Sequence, residues 1–358
     1  MDELADEVER LLPGTAPWSL HPLTHNPLNA VTAGIWRVVR GDRSAVVKVL
    51  SPDPGGHPDW QASRDPRHWN YWRREAEVYA DGLPYLWEKA GIRAPRLLEV
   101  VERDGGKLAL WTEDVAGQPG AAWSAERHVR LAGQLGRAQG GTGPVERPWL
   151  SRGFLRGYTG AKSVDWSLLD DDEAWAQPMV REHFPPGLRA EMVRLHRDRE
   201  WFLATLEGLP RVWCHLDLWP NNVIADGSGS VLLDWAFTGE GALGEDLGNH
   251  LPDSVFDLFL PAARLPELDG RLFGAYLDGL REAGWRGDPR QVRLAVCASA
   301  VKYDWLVPAL LRRAGEAVQL DYGGGRPVDV ARRYRERGAA LMFLAGWAEE
   351  ARGLGGYA

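Results

Sequence analysis

The spacing of apolar and polar positions changes along the chain, and the predicted architecture changes with it. Residues 34–50, GIWRVVRGDRSAVVKVL, contain two β-branched runs around a polar turn at Gly41 and Asp42, the pattern of a hairpin. A loop rich in proline, glycine and aspartate follows, SPDPGGHPDWQASRDPRH, and from Trp69 to Lys89 the apolar positions take helical spacing. APRLLEVVERDGGKLALWTEDV then supplies two more strand-like runs, separated by Asp104 and two glycines. After Gly117 helical spacing dominates. Ser124 is placed to cap a helix reaching Gly140, with Leu131 and Leu135 on one face. Another helix runs roughly from Leu188 to Leu206, where Leu188, Met192, Leu195, Phe202 and Leu206 form a stripe before Gly208 and Pro210 end it. Further helices are expected near 267–283, 290–312 and 328–350. The pattern predicts an α+β chain of two lobes. A small β-rich N-lobe covers residues 1–112 and a larger, mainly helical C-lobe covers 113–358. They join at about residues 111–117, and the cleft between them is a natural ligand site.

Composition narrows the possibilities. A chain of 358 residues with 44% hydrophobic content can bury two cores. The formal net charge of −8 argues against nonspecific binding to nucleic acid or anionic lipid and leaves room for a cationic partner. Cys214 and Cys297 offer neither a disulfide framework nor a metal-binding CxxC pair. The N-terminus MDELADEVERLLPG is acidic and amphipathic, unlike a signal peptide, and no later stretch is expected to span a membrane. The expectation is a cytoplasmic protein without nucleic-acid or membrane partners; the oligomeric state stays open.

One segment interrupts the helical half: VWCHLDLWPNNVIADGSGSVLLDWAF, residues 212–237. It places Asp217 and Asn222 on a loop leaving a short strand, and Asp234 at the end of the next apolar run, beyond the turn ADGSGS. A carboxylate and an amide oxygen converging from neighbouring loops are hard donors that suit Mg²⁺ shared with phosphate oxygens. The first aspartate is then left to accept a hydroxyl proton, the division of labour that phosphoryl transfer requires. HLDLWPNN followed by LLDW resembles the catalytic segment of protein kinases and of the aminoglycoside phosphotransferase family, whose pattern is His-Gly-Asp, four residues, Asn, then a strand ending in Ile/Leu-Asp-Trp. Leu216 stands where glycine is usual. The resemblance implies a bilobal protein-kinase-like fold, ATP or GTP as co-substrate and Mg²⁺. It further implies Asp217 as catalytic base, Asn222 and Asp234 as metal ligands and His215 as support for the loop. Trp235 after Asp234 favours the small-molecule branch over ordinary eukaryotic protein kinases.

The remaining parts occur in order. Lys48 in AVVKVL is a charge inside an apolar strand, hence either an exposed edge position or a phosphate-binding lysine. WRREAEVYADGL supplies Glu75 and Glu77 as ion-pair partners for it; the family's Arg-Glu-Ala-Glu pattern favours Glu75, and the insertion at 51–68 leaves Glu77 open. Asp246 in GALGEDLGN matches the family residue that braces the catalytic loop. No G-x-G-x-x-G loop precedes Lys48, so backbone amides near Thr32 to Gly34 are expected at the nucleotide, with Leu110–Val115 as the hinge facing an adenine or guanine edge. The resemblance runs from about residue 23 to residue 260.

The acceptor is less legible. Asp170, Asp171, Asp172, Glu173, Glu240, Asp253 and Asp257 are candidates for holding ammonium groups, and Trp166, Trp175 and Trp219 for apolar walls. Three functions fit: a kinase for a hydroxyl of a small molecule such as an aminoglycoside or sugar-containing metabolite; a Ser/Thr kinase acting on a precursor peptide in ribosomal-peptide biosynthesis, lanthipeptide- or thioamitide-like; and a nucleotide-binding scaffold without catalysis. A basic C-terminal run with Arg312, Arg313, Arg332, Arg333, Arg335 and Arg337 offers either an acidic-peptide surface or a solvated face.

Overall fold

The structure, a computed structural model, describes residues 2–53, 55–227, 229–322 and 325–357. The N-terminal part is built on a five-stranded antiparallel sheet of order β1-β2-β3-β6-β5, with β1 Trp18–Pro22, β2 Thr32–Arg40, β3 Arg43–Leu50, β4 Ile92–Arg93 outside this sheet, β5 Leu97–Arg103 and β6 Lys107–Glu113. The 34–50 hairpin forms as read, in register Arg40↔Arg43, with Gly41 at φ 61° in the turn. Alternation along β3 sends Ala45, Val47 and Val49 to one face, where α1 (Asp2–Leu11) covers them with Val8. Glu7 of α1 anchors this packing through Trp111 Nε1 at 2.6 Å and Arg103 Nε at 2.8 Å. Lys48 faces the opposite side, toward α2 (Arg74–Asp81). Because β3 is hydrogen-bonded to both β2 and β6, and Lys48 is 7% exposed, the edge-strand reading is overturned.

Three expected helices are shorter or broken. The 69–89 pattern yields α2 only. Gly82, at φ 73°, ends it, Pro84 follows, and Leu83–Ala90 winds as a 3₁₀ segment. The 188–206 stripe divides at Asp198 into Leu188–Arg197 and Arg199–Gly208, since Asp198 turns inward to meet Arg352 at 2.8 Å. The 290–312 stretch divides into Pro289–Ala298, a tight turn Ser299–Tyr303 and Leu306–Arg313. By length and composition Pro289–Arg313 would also suffice to cross a membrane, contrary to the expectation that no stretch would. In the fold, 89% of its apolar window is buried, and it serves as core.

The helical part packs α3 (Ala125–Thr142) against the helix Leu265–Glu282 so closely that a Cβ on Gly136 would lie 2.1 Å from Tyr276 O. The site loops hang from short strands: β7 (Gln118–Pro119), β8 (Arg211–Cys214), β9 (Val223–Asp226), β10 (Gly229–Leu232) and β11 (Gly239–Ala242). β8 pairs with β11, and β4 joins β10, β9 and β7 in a second sheet. Ser228, in the expected ADGSGS turn, lies outside the described residues.

The insertion at 51–68 leads toward α2, whose first residue holds its end. Arg74, fully buried, fastens it: its guanidinium donates to the carbonyls of Trp149 (2.8 Å), Trp69 (2.9 Å), Ala236 (3.0 Å), Pro66 (3.0 Å) and His68 (2.5 Å). Burial lowers its pKa to about 9. Arg74→Met is expected to strand several buried carbonyls and cost on the order of 3 kcal/mol. A urea unfolding curve superimposable on that of wild type would refute this role.

Candidate active site

The loop after β8 begins with a strained backbone. Leu216 sits at φ 66°, in the left-handed region, which accounts for glycine being usual at this position. Two features hold it there: a side chain only 2% exposed, and Asp246. The Asp246 carboxylate accepts the amides of His215 (2.9 Å) and Leu216 (2.7 Å) and the side-chain amide of Gln139 (2.9 Å). Burial raises its pKa to about 6, against those two backbone donors. His215 is buried and its pKa is lowered to about 4 by desolvation, so the ring is neutral. Nε2–H donates to Leu233 O at 2.9 Å while Nδ1 accepts the Asp217 amide at 3.2 Å. The histidine thereby ties the Asp217 loop to the strand carrying Asp234.

The three oxygen-bearing residues converge as the spacing implied. Asn222 Nδ2 donates to Asp217 Oδ2 at 2.8 Å and to Asp217 O at 2.9 Å. That orientation turns Asn222 Oδ1 away from Asp217. Burial, then the charge of Asp234, pushes the Asp217 pKa up to about 7; Lys302 and the Asn222 bond oppose them. Asp234 stands at φ 55° and receives Lys48 Nζ at 2.9 Å. Burial alone would raise its pKa, but Lys48 holds it below the usual range.

Lys48 also meets Glu75 at 2.6 Å, an ion pair not aligned as a hydrogen bond. Glu77 instead pairs with Arg73 at 3.0 Å, so the choice between the two glutamates falls on Glu75. Burial raises the Glu75 pKa although Lys48 opposes it, and the two carboxylates keep Lys48 charged against its own burial.

The strand opposite presents an unexpected side chain. β2 is irregular between Thr32 and Gly34, and Ile35 pairs with Lys48 across the ladder. Gly34 has a packing reason of its own, since a Cβ there would fall 2.1 Å from the Trp36 ring. Trp36 lines a groove of about 370 Å³ with Leu4, Leu20 and Val47, on the α1 side of the sheet and away from Lys48.

Among the described residues no group of three or more His, Cys, Asp or Glu could hold a metal. Asn222 Oδ1, turned from Asp217, and the Asp234 carboxylate, 36% exposed, are hard oxygen donors, and such a pair fits a hard cation that completes its shell with phosphate and water.

The acceptor candidates separate. Asp171 caps a short helix by accepting Glu173 N at 2.8 Å, Asp172 pairs with Arg189 at 2.6 Å, and Glu240 pairs with Arg152 at 2.8 Å. Trp166 stacks on His196 with centroids 3.9 Å apart, and Trp175 donates to Leu169 O at 3.0 Å, so both are packing residues. Asp253 pairs with Lys302 at 3.2 Å and Asp257 with Arg337 at 3.7 Å, while Trp219, in the Asp217 loop, packs against Tyr322 with ring centroids 4.8 Å apart. Arg333 and Arg337 turn inward, Arg337 donating to Phe256 O at 2.8 Å, whereas Arg312, Arg332 and Arg335 are exposed. Sequence reasoning missed Arg74, Tyr158, Lys162, Lys302 and Tyr322. For Lys302 the signal was present, because a lysine inside the apolar run ASAVKYDWLV is the same anomaly that singled out Lys48.

The model of the phosphotransferase enzyme family matches residues 35–288. No curated protein sequence matches the chain. Among solved structures the chain is similar to a spectinomycin phosphotransferase in complex with ADP and spectinomycin, at 11% identity, covering 97% of this chain and 98% of that one with a TM-score of 0.56. It is similar to a choline/ethanolamine kinase family protein from Mesorhizobium loti at 20% identity, covering 99% and 97%, with a TM-score of 0.51. An amicoumacin kinase in complex with AMP-PNP, Ca²⁺ and Ami matches at 12% identity, covering 87% and 86%, with a TM-score of 0.51. At these identities the likenesses speak to the bilobal kinase-like fold.

Proposed function

We propose, starting from the fact that this chain belongs to the phosphotransferase enzyme family, that it transfers the γ-phosphoryl group of ATP or GTP to a hydroxyl of a small molecule. The observation that carries this reading is the chain of contacts Glu75–Lys48–Asp234 beside Asp217–Asn222, which joins residues from both lobes at one cleft. Mg²⁺, held by Asn222 and Asp234, would supply charge neutralisation to the phosphates. Lys48, oriented by Glu75, pairs with phosphate oxygen. Asp217 accepts the acceptor's hydroxyl proton as its oxygen bonds to phosphorus and the nucleoside diphosphate leaves. A pKa near neutrality suits that exchange. Asp246 and His215 position the Asp217 loop.

Against a non-catalytic scaffold stands the presence of every one of these groups. The precursor-peptide reading draws less support than before from the basic C-terminal run, because Arg333 and Arg337 are spent inside the fold.

The test is mass-spectrometric: purified protein with Mg²⁺, ATP or GTP, and a panel of aminoglycosides, sugars, hydroxy acids and Ser-containing peptides, each scored for a phosphorylated product. Asp234→Asn should remain folded, bind Mg²⁺-nucleotide weakly and yield no product. Unchanged Mg²⁺ dependence in that variant would remove Asp234 from the metal site.

A further inference from the structure

The acceptor side of the cleft carries a positive charge that the chemistry above does not use. Lys162 follows α4 (Phe154–Gly160), Lys302 lies in the turn Ser299–Tyr303, and each is 7% exposed. Their ammonium groups flank one phenol ring, Lys162 at 3.8 Å and Lys302 at 5.5 Å from the Tyr158 centroid. Lys302 is matched by Asp253 at 3.2 Å and by the side-chain oxygen of Asn249. Lys162 is not matched in this way. Its Nζ sits 4.0 Å from the Trp60 centroid and 5.2 Å from that of Trp305, and no carboxylate among the described residues lies within ion-pair distance. Asp59, the acidic group that acts on it, accepts the Ser163 amide at 3.0 Å instead.

Aromatic faces return only part of what a desolvated ammonium loses on burial. The balance is visible in the amine. Burial brings its pKa down to about 7, with Asp59 opposing and Lys302 adding to the fall. Trp60, Tyr158 and Trp305, the rings around Lys162, are each only partly buried. The cluster adjoins the Asp217 loop through contacts: Lys302 donates to the side-chain oxygen of Asn249, whose Nδ2 donates to Leu218 O at 3.2 Å, next to Asp217. The acids that were candidates for substrate ammonium groups, Asp253 and Asp257, face Lys302 at 3.2 Å and Arg337 at 3.7 Å. A polyamine therefore gains little on this wall, while one negative charge gains Lys162. A single uncompensated ammonium matches a monoanion better than a dianionic phosphate.

We infer that Lys162, walled by Tyr158 and Trp60, is an anion subsite of the acceptor pocket, and that the acceptor is a hydroxylated small molecule bearing a carboxylate. The inference rests on the kinase reading for its placement beside Asp217, yet it is tested by equilibrium binding alone. With ¹³Cε-lysine-labelled protein, the Lys162 signal is assigned by its loss in Lys162→Met and followed in the wild-type chain. The titrants are sodium gluconate, glucitol, kanamycin and sodium chloride at equal ionic strength. Gluconate should shift the Lys162 signal saturably and raise the titration midpoint of its amine, while glucitol and chloride leave both unchanged. No saturable shift with gluconate, or an equal one with glucitol or kanamycin, overturns the subsite. If no acceptor is phosphorylated but the gluconate shift appears, the kinase reading fails and the subsite stands. Phosphorylation of a polyamine with kcat/KM unchanged in Lys162→Met has the opposite meaning.

Discussion

Asp217→Ala should cut kcat by roughly 10²–10⁴ and leave nucleotide affinity within a few-fold. The reason lies in how the site divides its contacts. Lys48 and Asp234 bond to each other and Asp217 bonds to neither; its side-chain partner is Asn222, at 2.8 Å. Removing the carboxylate therefore deletes the proton acceptor while the Lys48–Asp234 pair stays in place. Asp217→Asn should keep more activity than the alanine variant, because the loose transition state of phosphoryl transfer depends on positioning the hydroxyl as much as on basicity. The same substitutions have a stability signature. Burial holds the Asp217 pKa near 7, so its charge opposes folding at higher pH, and Asp217→Asn should melt above wild type at pH 8 without nucleotide or metal. Near-normal kcat in Asp217→Ala on the true acceptor would defeat the assignment.

Lys48→Met should remove both activity and stability. The lysine is 7% exposed between Glu75 and Asp234, at 2.6 and 2.9 Å, and Glu75 is 4% exposed. Methionine would leave Glu75 buried without a counter-charge, a loss on the order of 3–5 kcal/mol. The double variant Lys48→Met/Glu75→Gln should recover most of that stability and none of the turnover. The pH dependence follows from Glu75, whose folded pKa is already raised by burial and rises further when Lys48 is absent. A carboxyl raised in the folded state favours folding below its unfolded pKa, and that contribution is lost as pH rises through the folded value. The deficit of Lys48→Met relative to wild type should thus shrink as pH falls from 8 toward 5 in chemical denaturation. A constant deficit across that range, or wild-type stability at pH 8, would show that Lys48 does not neutralise Glu75.

What was legible in advance is what local pattern encodes. Strands β2 and β3 follow from alternating β-branched residues, and Asp217, Asn222 and Asp234 converge because a loop and the end of a short hairpin bring near neighbours together. Helix lengths were less legible. The apolar stripe at 188–206 continues through Asp198 without a break in period, and only the buried partner Arg352 explains why the chain turns there.

By itself the sequence determined the two-lobe order, the candidate catalytic segment and the presence of Lys48 in an apolar strand, since each depends on spacing within a few tens of residues. Tertiary structure decided the rest. It chose Glu75 over Glu77 by turning one face of α2 inward, and it made Arg74 a staple by surrounding it with carbonyls from 66 to 236. It also consumed Asp253 and Asp257 in ion pairs while leaving Lys162 among aromatic rings. The physical reason is desolvation: whether a charge is solvated, paired or left buried depends on which distant groups surround it, and residue spacing along the chain carries no record of that.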